Sequence, residues 1–70
     1  MSLEILKQIG RNLASLRKAR AILQTEAARL SGISYRYYQR IEGGRANMTL
    51  STLFKLAKFY HVNPRDLFPS

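Results

Sequence analysis

Apolar residues recur along this chain at the spacing of a helical face, and nowhere with strict alternation. Leu3, Ile5, Leu6, Ile9, Leu13 and Leu16 follow i, i+3, i+4, i+7 steps, which predicts a first helix over about residues 3–20. Gly10 interrupts that run at a modest cost in propensity. The segment "TEAARL", Thr25–Leu30, predicts a short second helix over about 24–31 that stops at Ser31-Gly32. Ser34 is a good N-cap for a third helix carrying "YRYYQRIEGG", which ends at Gly43-Gly44. "RANM" reads as loop. Thr49 or Ser51 can then start a fourth helix running to Phe59 or Tyr60, with Leu50, Leu53, Leu56, Ala57 and Tyr60 as its core stripe. Pro64 suits the first position of a final short turn, "PRDLF". With no repeat and no low-complexity linker, the expectation is an all-α fold of five helices in a single domain over residues 1–70.

The third helix has a two-sided pattern. At 100° per residue, Ser34, Tyr38 and Ile41 share one arc and are expected to face the core. Tyr35, Arg36, Gln39 and Arg40 share the opposite arc, and Tyr37 lies on the flank. A short helix, a turn through Gly32 and a second short helix is the helix-turn-helix plan. Ala27 and Ala28 are small enough to let the neighbouring helix approach closely, while Ile33 plugs the turn and Ile41 anchors the second helix. Taken alone this spacing is a weak signal, since many helical hairpins show it. A basic, solvent-facing second helix strengthens it, because polar side chains gathered on one strip are what the major groove of DNA admits.

Charge points the same way. The 70 residues carry twelve Lys and Arg against four Asp and Glu, a net charge of +8. So basic a domain attracts polyanions, phosphate backbones first among them. The chemistry of catalysis or metal binding is scarce: no cysteine, one histidine (His61), and four acids, Glu4, Glu26, Glu42 and Asp66. These counts argue against an enzyme, and no metal, cofactor or small-molecule ligand is expected. No apolar run approaches the roughly 18 residues of a membrane-spanning helix. The opening "MSLEILKQIG" lacks the basic start and long apolar stretch of a signal peptide. No membrane partner and a cytoplasmic location are the defaults.

The run "LQTEAARLSGISYRYYQRIEGGRANMTLSTLFKLAKFY" resembles the Cro and phage-repressor type of helix-turn-helix, the XRE-like family. Residues that fit the family pattern are Ile22, Gln24, Glu26, Ala28, Gly32, Ile33, Ser34, Ile41, Glu42, Gly44, Asn47, Thr49, Leu50, Leu53, Leu56 and Ala57. "IGRNLASLRKAR" resembles the family's first helix and "VNPRDLF" its last, so the likeness spans about residues 9–68. Several positions depart from the pattern. Leu23 stands where a Ser or Thr N-cap is usual, Ala27 where a leucine is usual, and Tyr38 where an aliphatic residue is usual. The last two are expected to compensate, a large ring filling the space a leucine vacated. Met48 replaces a proline, and His61 takes a position where a helix-ending glycine is common.

The resemblance implies a lambda-repressor-like domain that binds double-stranded DNA as a small transcriptional regulator. On it, Tyr35, Arg36, Gln39 and Arg40 become base-reading candidates: Arg pairs with guanine O6/N7, Gln with adenine N6/N7, and Tyr35 can meet a thymine methyl or a phosphate. Gln24 corresponds to a glutamine that meets phosphate at the start of the second helix. Gly43, Arg45 and Asn47 fall in the loop on the other flank. Tyr37 is grouped with these phosphate-binding candidates, its own role left open. The glycine pair is expected to supply positive φ and a close backbone approach. Lys7, Arg11, Lys18 and Arg20 read as general positive field.

The resemblance further implies a structural salt bridge between Arg17 and Glu42 that orients the reading helix. Phe54 and Phe59 do not fit wholly in the stripe of the fourth helix. With Val62, Leu67 and Phe68, for which plain core is an equal alternative, they are candidates for a homodimer interface, which would place two reading helices on a near-palindromic operator. Two rival readings remain at this point. A single-strand or RNA binder would use Tyr35, Tyr37 and Tyr38 as stacking faces, and a protein-interaction module would use the same basic aromatic surface.

Overall fold

The computed structural model describes residues 2–69; Met1 and Ser70, the ends of the domain read from the sequence, lie outside the described residues. Four α-helices follow one another: α1 (Leu3–Ala19), α2 (Gln24–Ser31), α3 (Tyr35–Glu42) and α4 (Leu50–Tyr60). The expected fifth helix is a single 3₁₀ turn, Pro64–Leu67. Among the described residues none of the helices is long and apolar enough to cross a membrane.

Local chemistry accounts for the boundaries. Ser2, Ser34 and Thr49 each cap a helix by accepting a hydrogen bond from the amide three residues on, at 3.3, 3.2 and 3.1 Å. Such caps satisfy one of the otherwise orphaned amides of a helix start. Helix α2 has Leu23 in that place, and leucine has no acceptor to offer. There the bond runs the other way, the Leu23 amide donating to the Glu26 carboxylate at 3.1 Å. At the far end of α2, Gly32 takes the left-handed conformation (φ 76°) that closes a helix C-terminus. His61 does the same for α4 at φ 56°, a conformation that costs an L-residue roughly 1–2 kcal/mol.

The core is formed by Ile9 and Leu13 of α1, Ala27 and Ala28 of α2, Tyr38 and Ile41 of α3, Leu53, Leu56, Ala57 and Tyr60 of α4, and Leu67. Ala27 and Tyr38 are both fully buried and belong to the same core cluster. Leu67 belongs wholly to this core, so it is not available to an interface with another molecule. Asn12 fastens the 3₁₀ turn to α1, its side-chain amide donating to the Leu67 carbonyl at 2.8 Å.

Two positions depart from the periodic reading. Leu50, expected in the core stripe, is 67 % exposed. It is the first residue of α4, where the helix has not yet reached the body of the domain. Ser34, expected on the core arc, is exposed because it precedes α3 and serves as its cap. Gly10 has more weight than its propensity suggests. A Cβ there would lie 2.6 Å from the Ile41 carbonyl oxygen and 2.9 Å from the Glu42 carbonyl carbon. Helix α1 therefore rests directly on the last turn of α3 through a residue without a side chain.

Candidate nucleic-acid interface

Helix α3 presents the site, and its orientation follows from what it buries. Tyr38 and Ile41 are inaccessible to solvent. Tyr35, Arg36, Gln39 and Arg40, on the opposite side, are exposed. Arg36 and Gln39 make no side-chain hydrogen bond within the described residues, which leaves their donors to solvent. Arg40 lies along the loop, its guanidinium 3.4 Å from the Arg45 carbonyl. The strip carries two guanidinium groups and no carboxylate.

The two glycines after α3 behave differently. Gly43 keeps a right-handed conformation (φ −77°), so the positive φ expected of the pair belongs to Gly44 alone, at 70°. Gly44 is also pressed against α1: a Cβ would stand 2.8 Å from the Lys7 Cα. The loop that follows is braced by Tyr37, whose hydroxyl donates to the Asn47 carbonyl at 3.0 Å. Tyr37 is half-buried against the core. Arg45 and the Asn47 side chain project from this braced loop and are exposed.

Behind the strip, Glu42 gathers three hydrogen bonds. Arg17 contributes two parallel bonds, Nε to Oε2 at 2.8 Å and Nη2 to Oε1 at 3.1 Å. Gln24 adds its side-chain amide at 2.9 Å. The side chains of Arg17 and Glu42 are only 14 % and 5 % exposed. Arg17 completes its own set by donating to the Ile22 carbonyl at 3.0 Å. Burial pulls the Glu42 carboxyl upward, but the bonds from Arg17 and Gln24 and the neighbouring Tyr38 hydroxyl outweigh it and hold the group below the ordinary carboxylate range. The bond to Glu42 raises Arg17 against the opposing effect of burial. The pair is thus a fixed strut joining α1 to the end of α3, with a second tie to the start of α2.

Sequence reasoning placed Gln24 toward phosphate. Its amide nitrogen donates to Glu42, and an –NH₂ group carries a second hydrogen that remains available to an acceptor outside the protein. Of the interface candidates on α4 and beyond, Phe54 is 55 % exposed. Phe59, Val62 and Phe68 are half-buried against the core, and Phe59 packs edge-on to Tyr60 with ring centroids 4.7 Å apart. These four do not form one uniformly exposed patch.

What sequence reading missed is the contact between Tyr38 and Tyr60, whose hydroxyls are hydrogen-bonded in the middle of the core. Both positions fall on apolar core stripes, so periodicity alone gives no sign that their polar ends meet. Burial raises the pKa of each hydroxyl, so both remain protonated.

Comparison with known proteins agrees with this architecture. The HTH_3 family, described as Helix-turn-helix, matches residues 13–67. An uncharacterized HTH-type transcriptional regulator, y4dJ, of Sinorhizobium fredii (strain NBRC 101917 / NGR234) is 35 % identical over 65 residues, covering 93 % of this chain and 84 % of the relative. Among solved structures, the restriction-modification controller protein C.AhdI from Aeromonas hydrophila superposes with a TM-score of 0.84 at 36 % identity, over 90 % of this chain and 96 % of the other. The DNA-binding domain of BldD gives a TM-score of 0.86 at 28 % identity, over 99 % and 100 % of the two chains. The chain belongs to the HTH_3, XRE-type helix-turn-helix family of DNA-binding transcriptional regulators.

Proposed function

We propose that this protein is a sequence-specific binder of double-stranded DNA that inserts α3 into the major groove and regulates transcription from a cytoplasmic pool. The observation that carries the proposal is the division of α3: Tyr38 and Ile41 wholly buried, Tyr35, Arg36, Gln39 and Arg40 exposed on the other side. Arg36 and Arg40 offer two-pronged donors to guanine, Gln39 a donor and acceptor to adenine, and Tyr35 an apolar edge to a thymine methyl. Gln24, Arg45, Asn47 and the backbone at Gly43 flank the strip as phosphate contacts. The uncapped amides at the start of α2 add the partial positive charge that suits a phosphate oxygen.

The tyrosines of α3 weigh against a stacking platform for single strands. Tyr38 is buried and Tyr37 is engaged with the loop, which leaves Tyr35 alone exposed, at 46 %. A single ring does not make a track for successive bases.

In our reading two copies pair through the α4 end of the domain. Phe54 is exposed there, Leu50 stands one turn away, and Phe59, Val62 and Phe68 lie at the margin of the core. A two-fold pair would read half-sites about 34–36 Å apart. The structural neighbour from Aeromonas hydrophila is a restriction-modification controller protein, and a comparable controller role is part of this proposal. Selection from a randomised duplex library, repeated at several salt concentrations, tests the proposal. A defined, near-palindromic motif is expected. Binding that falls steeply with salt yet enriches no motif would mean that the protein recognises only the phosphate backbone.

A further inference from the structure

The loop between α3 and α4 is tied closely at its two ends and by a single hydrogen bond at its middle. At the start, the Gly44 amide donates to the Ile41 carbonyl at 3.1 Å and the Arg45 amide to the Arg40 carbonyl at 2.9 Å. Gly44 is also pressed against Lys7 of α1. At the far end, Thr49 caps α4. Between them lie Ala46, Asn47 and Met48, none of which enters a backbone–backbone hydrogen bond among the described residues. Ala46 is buried and Met48 is half-buried against the core. Apolar burial is non-directional, so it sets their depth but not the orientation of the peptide groups between them. The one hydrogen bond that reaches this stretch from another element comes from Tyr37, whose hydroxyl donates to the Asn47 carbonyl at 3.0 Å.

Tyr37 is a firm post for that bond. Its amide donates to the Ser34 hydroxyl at 3.2 Å, and its ring is half-buried against the core. It stands on α3 beside Arg36 and one turn before Arg40 and Ile41, so it moves with the reading strip. The polar side chains of the tied loop, Arg45 and Asn47, are exposed. The bond therefore joins the helix assigned to the bases to the loop assigned to the phosphates.

We propose that Tyr37 is a positioning residue for DNA binding, setting the reach of Arg45 and Asn47 from α3 without touching DNA itself. A loop ordered before DNA arrives loses less conformational freedom on binding, so the same phosphate contacts yield a tighter complex. Without the hydroxyl those contacts can still form, but the loop must be ordered at the moment they do. The ordering of the loop rests on the protein alone; its consequence for affinity rests on the DNA-binding reading above.

The test uses Tyr37→Phe, which keeps the ring and its packing and removes only the hydroxyl. In the free protein, NMR relaxation is expected to show lower backbone order at Ala46, Asn47 and Met48 in Tyr37→Phe, with Gln39, Arg40 and Ile41 of α3 unchanged. Unchanged order in the loop overturns the proposal whether or not DNA binds. With a selected duplex, Tyr37→Phe is expected to weaken binding by about threefold to tenfold, the scale of one hydrogen bond, and equally on its single-base-pair variants. The loss should vanish when Arg45 and Asn47 are already alanine, since the loop then has no contact left to position. A loss that persists in that background, or that falls on one base pair, would show that the hydroxyl meets DNA directly and would overturn the proposal, as would undiminished binding. A wild-type protein that selects no duplex at all would defeat the DNA-reading account, with the relaxation comparison still deciding whether Tyr37 orders the loop.

Discussion

Replacing Gly10 with alanine separates a propensity argument from a packing argument, because the two predict opposite signs. In the interior of a helix the change should stabilise by about 1 kcal/mol, since glycine is the costlier residue there. In this fold the added methyl would stand 2.6 Å from the Ile41 carbonyl oxygen and 2.9 Å from the Glu42 carbonyl carbon. Both are backbone atoms, which cannot swing aside as a side chain can. Carbon contacts are favourable only at about 3.5–4.0 Å, so α1 and α3 must part by the better part of an ångström. Overpacking of this kind costs about 1–3 kcal/mol, and the upper end applies when backbone must move. Subtracting the propensity gain leaves a net loss of about 1–2 kcal/mol, or a Tm lowered by about 4–16 °C in a domain this small. Thermal unfolding followed by circular dichroism measures it, with Ser15→Ala on the exposed face of α1 as the helix-propensity control. The control should hold or raise Tm. If Gly10→Ala also holds or raises it, α1 does not rest on α3 as described, and the account of how α3 is oriented fails with it.

Acid should unfold the domain through Glu42. Its folded-state pKa lies below the ordinary carboxylate value, so its contribution is fully present above that value and is lost as pH falls through the lowered one, below about pH 4. Stability measured against pH should decline over that range, and Glu42→Gln should flatten the decline; an unchanged acid limb in the variant would assign it to other groups. Truncation to Glu42→Ala leaves Arg17 half of a buried pair and is expected to cost about 3 kcal/mol by denaturant unfolding, whereas a loss under 0.5 kcal/mol would class the pair with inconsequential surface bridges. Ala21, at φ 55°, is in the left-handed region, where an L-residue is disfavoured by roughly 1–2 kcal/mol. Ala21→Gly should therefore gain about 0.5–1 kcal/mol after its own entropy cost, and a lower Tm would show that the turn after α1 is not strained.

Much of the fold was legible because periodicity and caps agree. The positions of Leu13, Ile41, Leu53 and Leu56 in the core follow from 3.6-residue spacing, and Ser34, Gly32 and Thr49 mark boundaries by their own hydrogen-bonding or φ preferences. Leu50 and Ser34 were placed on the core side because a helical wheel has no ends, and both stand where α4 and α3 begin. Leu67 stayed open between core and interface because a four-residue 3₁₀ turn has no face to read. The close approach at Gly10 and the meeting of Tyr38 with Tyr60 depend on residues 31 or more and 22 positions apart, and no local pattern encodes such encounters. Of the candidate site, the exposed strip of α3 followed from geometry within one helix. The attachment of Gln24 to Glu42 did not, since it needs three helices to converge.

The central claim is that the exposed strip of α3 reads bases while the flanking loop grips the backbone. It is tested most directly by comparing Arg36→Ala with Arg45→Ala on a selected duplex and on its single-base-pair variants. Arg36→Ala should cost about 1–3 kcal/mol and relax the preference at one base pair, leaving the others intact. Arg45→Ala should weaken all duplexes alike and reduce the salt slope by about one. Indistinguishable behaviour of the two variants, with no base pair losing its preference in Arg36→Ala, would contradict the claim.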